Sequence, residues 1–217
     1  MRRSLLTMLL GSAVYGFAVG SQHSFRLGEW NILKFPLLLL ATSLLCTLAY
    51  YLLAQFITRR LSFGDVIRLA FRAFADTSLL LASLSPVCFF LARTITQPDG
   101  EELNEYPMFL GLNVLFIALC GTTAVVRQAG RLLKLHKLSL ARSVMIVTAW
   151  LGVSLFAGGQ CAWYMRPFFG VRSINHLQFM EQSRPDYRGA RSFYEAVYHL
   201  VNPPPLPKDY RNHGNEH

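Results

Sequence analysis

Two small groups of side chains in this sequence have the types and spacing to do chemistry. The first is Lys34 with Gln160, Trp163 and Arg166. Two cations, an amide and an indole N–H are all donors, so together they suit an anionic group such as a lipid phosphate or a carboxylate. Gln160 precedes Arg166 by six residues, which sets it about 9 Å deeper along a helix. The second group is Arg72 with Asp76, four apart and so on one helix face. An acid near hydrocarbon marks either a structural ion pair or a proton or ion relay. Each group also has a plainer reading. Lys34 and Arg166 then act as separate snorkelling anchors, Gln160 bonds a neighbouring helix, and Arg72 neutralises Asp76 at the membrane edge.

The elements that must position these residues are apolar blocks. The chain has 217 residues, 53% hydrophobic and 15% charged, against about 25% charged in an average soluble protein. Its apolar residues come in long unbroken runs rather than at the period of a soluble helix or strand, which predicts membrane spans. The clearest run, from Val144 to Met165, contains no charge over 22 residues. It ends in Trp163, Tyr164, Arg166 and Pro167, the residues a membrane boundary prefers. The fold class is therefore all-α: a polytopic transmembrane bundle of about five spans, 5–21, 32–57, 74–92, 107–126 and 143–165.

The first of these is short. Its basic start and its Ala18-Val19-Gly20 end fit a retained span, a cleaved signal peptide or a surface-lying segment. Gly11, Ser12, Gly16 and Gly20 recur roughly four apart. That spacing either lets another helix approach closely or reflects how common glycine is in membrane helices. Residues 22–31 read as a polar loop, with Lys34 at the mouth of the second span and Pro36 in its first turns. Residues 61–75 read as an amphipathic helix along the headgroups, its apolar positions Phe63, Val66, Ile67, Ala70, Phe71 and Phe74 recurring at three and four. Pro86 predicts a kink in the third span, with Ser83 and Ser85 to bond freed carbonyls. Asn113, an amide in the fourth span, predicts an interhelical hydrogen bond. Residues 1–170 form the membrane domain. Residues 171–217 form a polar tail with a short interfacial helix around Phe193, Tyr194, Val197 and Tyr198.

Lysines and arginines set the orientation. The N-terminus, second loop and fourth loop hold eleven, while the first loop with Lys34, the third loop and the start of the tail hold five. The positive-inside rule puts the first set in the cytoplasm, and five spans then place the tail in the periplasm of a bacterium. The net charge of +9 follows from the same loops and from anionic lipid, so nucleic acid is not an expected partner. Cys46, Cys88, Cys120 and Cys161 lie in four different blocks without CxxC spacing, as small hydrophobes rather than disulfides or metal ligands. All six histidines fall in loops or tails, and HExxH, GxSxG and a Gly-rich phosphate loop are missing. Enzymatic chemistry and bound cofactors are not expected.

One pattern spans nearly the whole chain. Tyr15-Gly16, Lys34-Phe35-Pro36-Leu37-Leu38, Ser85-Pro86-Val87, Asn113-Val114, Gly158-Gly159-Gln160-x-x-Trp163-x-x-Arg166-Pro167-Phe168-x-Gly170 and Phe193-Tyr194 follow in order. The chain thereby resembles a family of uncharacterised bacterial multi-pass inner-membrane proteins, loosely described as Yip1-like. The resemblance implies a bacterial inner membrane and an all-helical fold, and supplies no catalytic residues. Small-residue faces, an acidic outer loop and a polar tail point to a non-catalytic scaffold or accessory subunit that binds other membrane subunits in a bilayer with anionic lipids. A small transporter or channel component, or an anionic-lipid-binding protein, is the alternative reading.

Overall fold

A computed structural model describes residues 2–22, 24–59, 61–94, 105–165, 192–195 and 198. Its long elements are five α-helices: α1 (Arg2–Gly20), α2 (Phe25–Ile57), α3 (Phe63–Thr94), α4 (Glu105–Leu135) and α5 (Leu140–Tyr164). All five are long and apolar enough to cross a membrane, and the chain is an integral membrane protein by that measure. No strand occurs among the described residues.

The helices overrun the apolar blocks, and the reason is physical. A hydropathy count stops at the first charge, whereas a helix continues while its backbone ladder and an apolar stripe persist. At 33 residues, α2 is about 50 Å long, well beyond a hydrocarbon core of about 30 Å. It starts at Phe25 instead of residue 32 because the Ser24 side chain caps it by accepting from the Leu27 N–H (3.2 Å). The expected polar loop 22–31 therefore shrinks to a tight connection, and Pro36 lies three turns inside the helix.

Residues 61–75 depart further from expectation. They are not a separate helix on the headgroups, because α3 runs unbroken from Phe63. Their apolar face is spent on protein: Leu61, Val66, Leu69, Ala70, Phe71 and Phe74 are buried with the C-terminal half of α2, the C-terminal half of α4 and the N-terminal half of α5. Likewise most of the basic linker 127–142 is helical, the last turns of α4 and the first of α5. Lys137 closes α4 in the left-handed conformation (φ 50°). Leu138 N–H bonds Leu133 C=O and Lys137 N–H bonds Lys134 C=O, a Schellman closure built without glycine.

Helices adjacent in sequence run antiparallel; α1 packs on α2 and α3, α3 on α4, and α5 on α2 and α4. α1 and α3 are parallel, since Thr7 meets Ser78 while Tyr15 and Cys88 share Asn113. The small-residue face of α1 is what brings it close. A Cβ on Gly11 would sit 2.7 Å from the Ser78 carbonyl oxygen of α3. On Gly16 it would meet Asn31 and Phe35 of α2, and on Gly20 it would fall 2.7 Å from Gly28 Cα. α3 passes through Pro86 as one helix. Ser83 and Ser85 bond the carbonyls of Leu80 and Leu81, beside the one that Pro86 frees rather than on it.

Candidate functional site

The antiparallel register of α2 and α5 positions the first candidate group. Tyr50 stacks on Trp150 with ring centroids 5.0 Å apart, and eight residues along each helix Gly158 faces Thr42. Continued at the same step, the register sets Gln160 and Trp163 against α2 within about two turns of Lys34. Lys34 itself is fully buried. Because α2 begins nine residues earlier, Lys34 lies in its third turn rather than at the start of the helix. Gln160 and Trp163 are half-buried near the end of α5, and Arg166 lies outside the described residues.

The second candidate pair takes a different form. No ion pair joins Arg72 to Asp76 among the described residues; Asp76 Oδ2 instead accepts a hydrogen bond from Gln128 Nε2 of α4. Arg72 is exposed and turned outward, whereas Asp76 is half-buried at the α3–α4 seam. An amide buried to 8% exposure offers a donor at fixed distance and needs no long flexible arm, so it satisfies the carboxylate at lower entropic cost than Arg72. The sequence contained Gln128, but only the register between α3 and α4 makes it a partner.

Two further polar clusters join helices inside the bundle. Asn113 acts as the interhelical bond its place in a span predicts. Its Oδ1 accepts from Tyr15 Oη of α1 (2.7 Å) and Cys88 Sγ of α3 (3.1 Å), while its Nδ2 donates to Phe109 C=O (2.8 Å). The second cluster fastens α5 to α2. Trp150 Nε1 donates to Tyr50 C=O (3.0 Å), Tyr50 Oη pairs with Ser154 Oγ, and Ser154 Oγ also donates to Trp150 C=O (2.8 Å). Between α1 and α3, Ser78 Oγ donates to Thr7 C=O (3.0 Å) beside Gly11. Tyr50, Trp150 and Ser154 were not singled out from the sequence, and Tyr15 only as part of a pattern. The available signal was that Tyr50 and Trp150 lie deep within long apolar runs, where a phenol or indole must find a partner.

The described part of the tail docks on α5. Tyr194 Oη donates to Leu155 C=O (2.8 Å), its ring stacks on Phe156 (5.8 Å, 10°), and Phe193 fills the space where a Cβ on Gly159 would stand. Partial burial there raises the Tyr194 phenol above its usual value. Residues 192–195 therefore pack against the side of α5, not on headgroups alone; the rest of the expected interfacial helix is only partly within the described residues.

Among the described residues no group of His, Cys, Asp or Glu could hold a metal ion, and the four cysteines are free thiols. Compared with protein-family models, curated proteins and solved structures, the chain matches none.

Proposed function

We propose that this chain is a non-catalytic accessory subunit of a bacterial inner-membrane complex, with its N-terminus and basic helix ends in the cytoplasm and its tail in the periplasm. The observation that carries this reading is the state of α5. Only Ile146 and Trp150 of its 25 residues are buried, against eight of 19 in α1. Val144, Met145, Leu155 and Phe156 face outward. A helix held by one polar cluster and a few apolar contacts leaves a long face for a partner helix, since membrane helices associate through packing and a few hydrogen bonds.

The interior polar groups support a structural role over a transport path. Asn113, Tyr15, Cys88, Ser78, Tyr50, Ser154 and Trp150 are bonded to one another or to neighbouring backbone. Such groups fix helix register rather than line a water-filled route.

Gentle detergent extraction followed by sizing and cross-linking from Met145→Cys tests the reading. A cross-linked heteromeric species is expected, and a monomer with no cross-linked protein overturns it. Solute flux in liposomes compared with Asp76→Asn tests transport, for which unchanged background leakage is expected. The burial of Lys34 favours a second reading, an anionic-group site shared with Gln160, Trp163 and Arg166. Lys34→Ala and Arg166→Ala then each reduce co-purified anionic lipid, and unchanged lipid removes it.

A further inference from the structure

Arg68 and Arg72 on α3, and Arg127, Arg131 and Lys134 on α4, are all exposed. None has an acidic partner within ion-pair distance among the described residues, where the one such contact is His136 with Asp65 at 3.7 Å. These cations lie within helices, not in loops, so each is held at a defined angle. The Asp76–Gln128 bond fixes the register between the two helices. Each α-helical residue turns about 100°. Arg72 and Arg68 follow one and two turns below Asp76, and on antiparallel α4 Arg131 and Lys134 fall below Gln128 with Arg127 beside it. With both helices keyed at that bond, the five side chains turn to the same outer side of the α3–α4 pair.

Above them, Leu79, two turns beyond Arg72 on the same face of α3, is 58% exposed, and Val126 beside Arg127 on α4 is 45% exposed. Charges that no described acidic residue pairs with, continuous with an apolar outer wall, are matched by an anion that itself carries acyl chains. We infer that this strip binds an anionic phospholipid with two phosphates. The two rows each cover a full helical turn, about 5 Å or more along the axis, which a bridged diphosphate headgroup spans and a single phosphate does not. Basic pockets between membrane helices recognise such headgroups. Asp76 lies at the top of the strip, with Gln128 holding its carboxylate and leaving Arg72 to the lipid.

The test uses the full chain in phosphatidylcholine nanodiscs doped with cardiolipin as the two-phosphate probe, scored by lipid retained through purification. Each cation removed is expected to lower retention about fivefold, so Arg72→Gln with Arg131→Gln lowers it roughly 25-fold. Lys137→Gln with Arg142→Gln, at the same end of the bundle but off the strip, is expected to change it less than about twofold. Equal losses in both double variants mean diffuse surface attraction and overturn the proposal, as does unchanged retention. Asp76→Asn keeps an acceptor for Gln128 and removes the opposing charge, so retention rises. A fall overturns the proposal. Excess inorganic phosphate leaves the lipid in place; displacement by it overturns a lipid-specific site. Where the double variant does not fold, Arg131→Gln alone and Asp76→Asn carry the same test.

Discussion

Gly11→Ala is the sharpest perturbation of the α1–α3 contact, and Gly152→Ala is its control. Both replace a glycine inside a helix, so both gain the same helix propensity, about 1 kcal/mol; the difference between them isolates the packing. At Gly152 nothing lies within 4 Å of the new methyl group. At Gly11 the methyl falls 2.7 Å from Ser78 O and 2.9 Å from Ser78 C, where 3.4 Å begins ordinary contact. These are backbone atoms and cannot swing aside, so α1 and α3 must separate by most of an ångström. Overpacking of this kind costs about 1–3 kcal/mol. The separation also strains the Ser78 Oγ bond to Thr7 C=O at 3.0 Å, and an interhelical hydrogen bond in a membrane averages about 0.6 kcal/mol. The two variants should therefore differ by about 2–4 kcal/mol, with Gly11→Ala the less stable. Equilibrium unfolding in mixed micelles, followed by tryptophan fluorescence, measures the difference. Two variants within about 0.5 kcal/mol of one another refute the close approach, because the expected strain would then be missing.

Tyr15→Phe and Asn113→Leu should couple in a double-mutant cycle by about 0.5–1.5 kcal/mol, since Tyr15 Oη bonds Asn113 Oδ1 at 2.7 Å; additive effects remove this bond from the bundle. Trp150→Leu loses both the stack on Tyr50 and the Nε1–H bond to its carbonyl, so α5 amides should exchange faster by the equivalent of about 1–3 kcal/mol, read by hydrogen exchange. Lys137→Gly relieves a left-handed residue at φ 50° and should stabilise by about 1 kcal/mol in the same unfolding assay. A cysteine at Lys137 should react with an impermeant maleimide only from the cytoplasmic side, and one at Glu29 only from the other, in a chain whose native cysteines are replaced; labelling from the same side refutes the orientation.

The five helices were legible because membrane burial writes itself into hydropathy, and a charge-free run such as 144–165 has few other meanings. The glycines of α1 were legible only as an alternative: their spacing shows a small-residue face but not what occupies it, and the backbones of Asn31 and Ser78 settle that. Asn113 was readable as an interhelical bonder, since an amide in hydrocarbon must pair, but its partners Tyr15 and Cys88 come from helices far away in sequence. Lys34 was readable as a charge at the edge of an apolar run, but not as buried: the cap at Ser24 starts α2 nine residues earlier and gives Lys34 helix on both sides. Residues 61–75 show the same ambiguity in another form. A period of three and four reports an apolar face, and headgroups or protein satisfy it equally until the neighbours of α3 are known.

The polar bonds inside the bundle also rank the helices. α1 is tied to α3 through Ser78 and to α4 through Asn113, and α3 is tied to α4 through Asp76 and Gln128. Breaking any one of these leaves the three helices joined by the others. The side-chain hydrogen bonds described between α5 and another long helix fasten it to α2, and Val144, Met145, Leu155 and Phe156 are exposed. The helix that costs least to displace is therefore the one whose face is free and whose flank receives Phe193 and Tyr194 from the tail. A partner helix that displaced those two aromatic rings would recover, at Gly159 and Leu155, the same close approach and carbonyl bond that the tail makes, and so would bind without unsettling the α1–α3–α4 core.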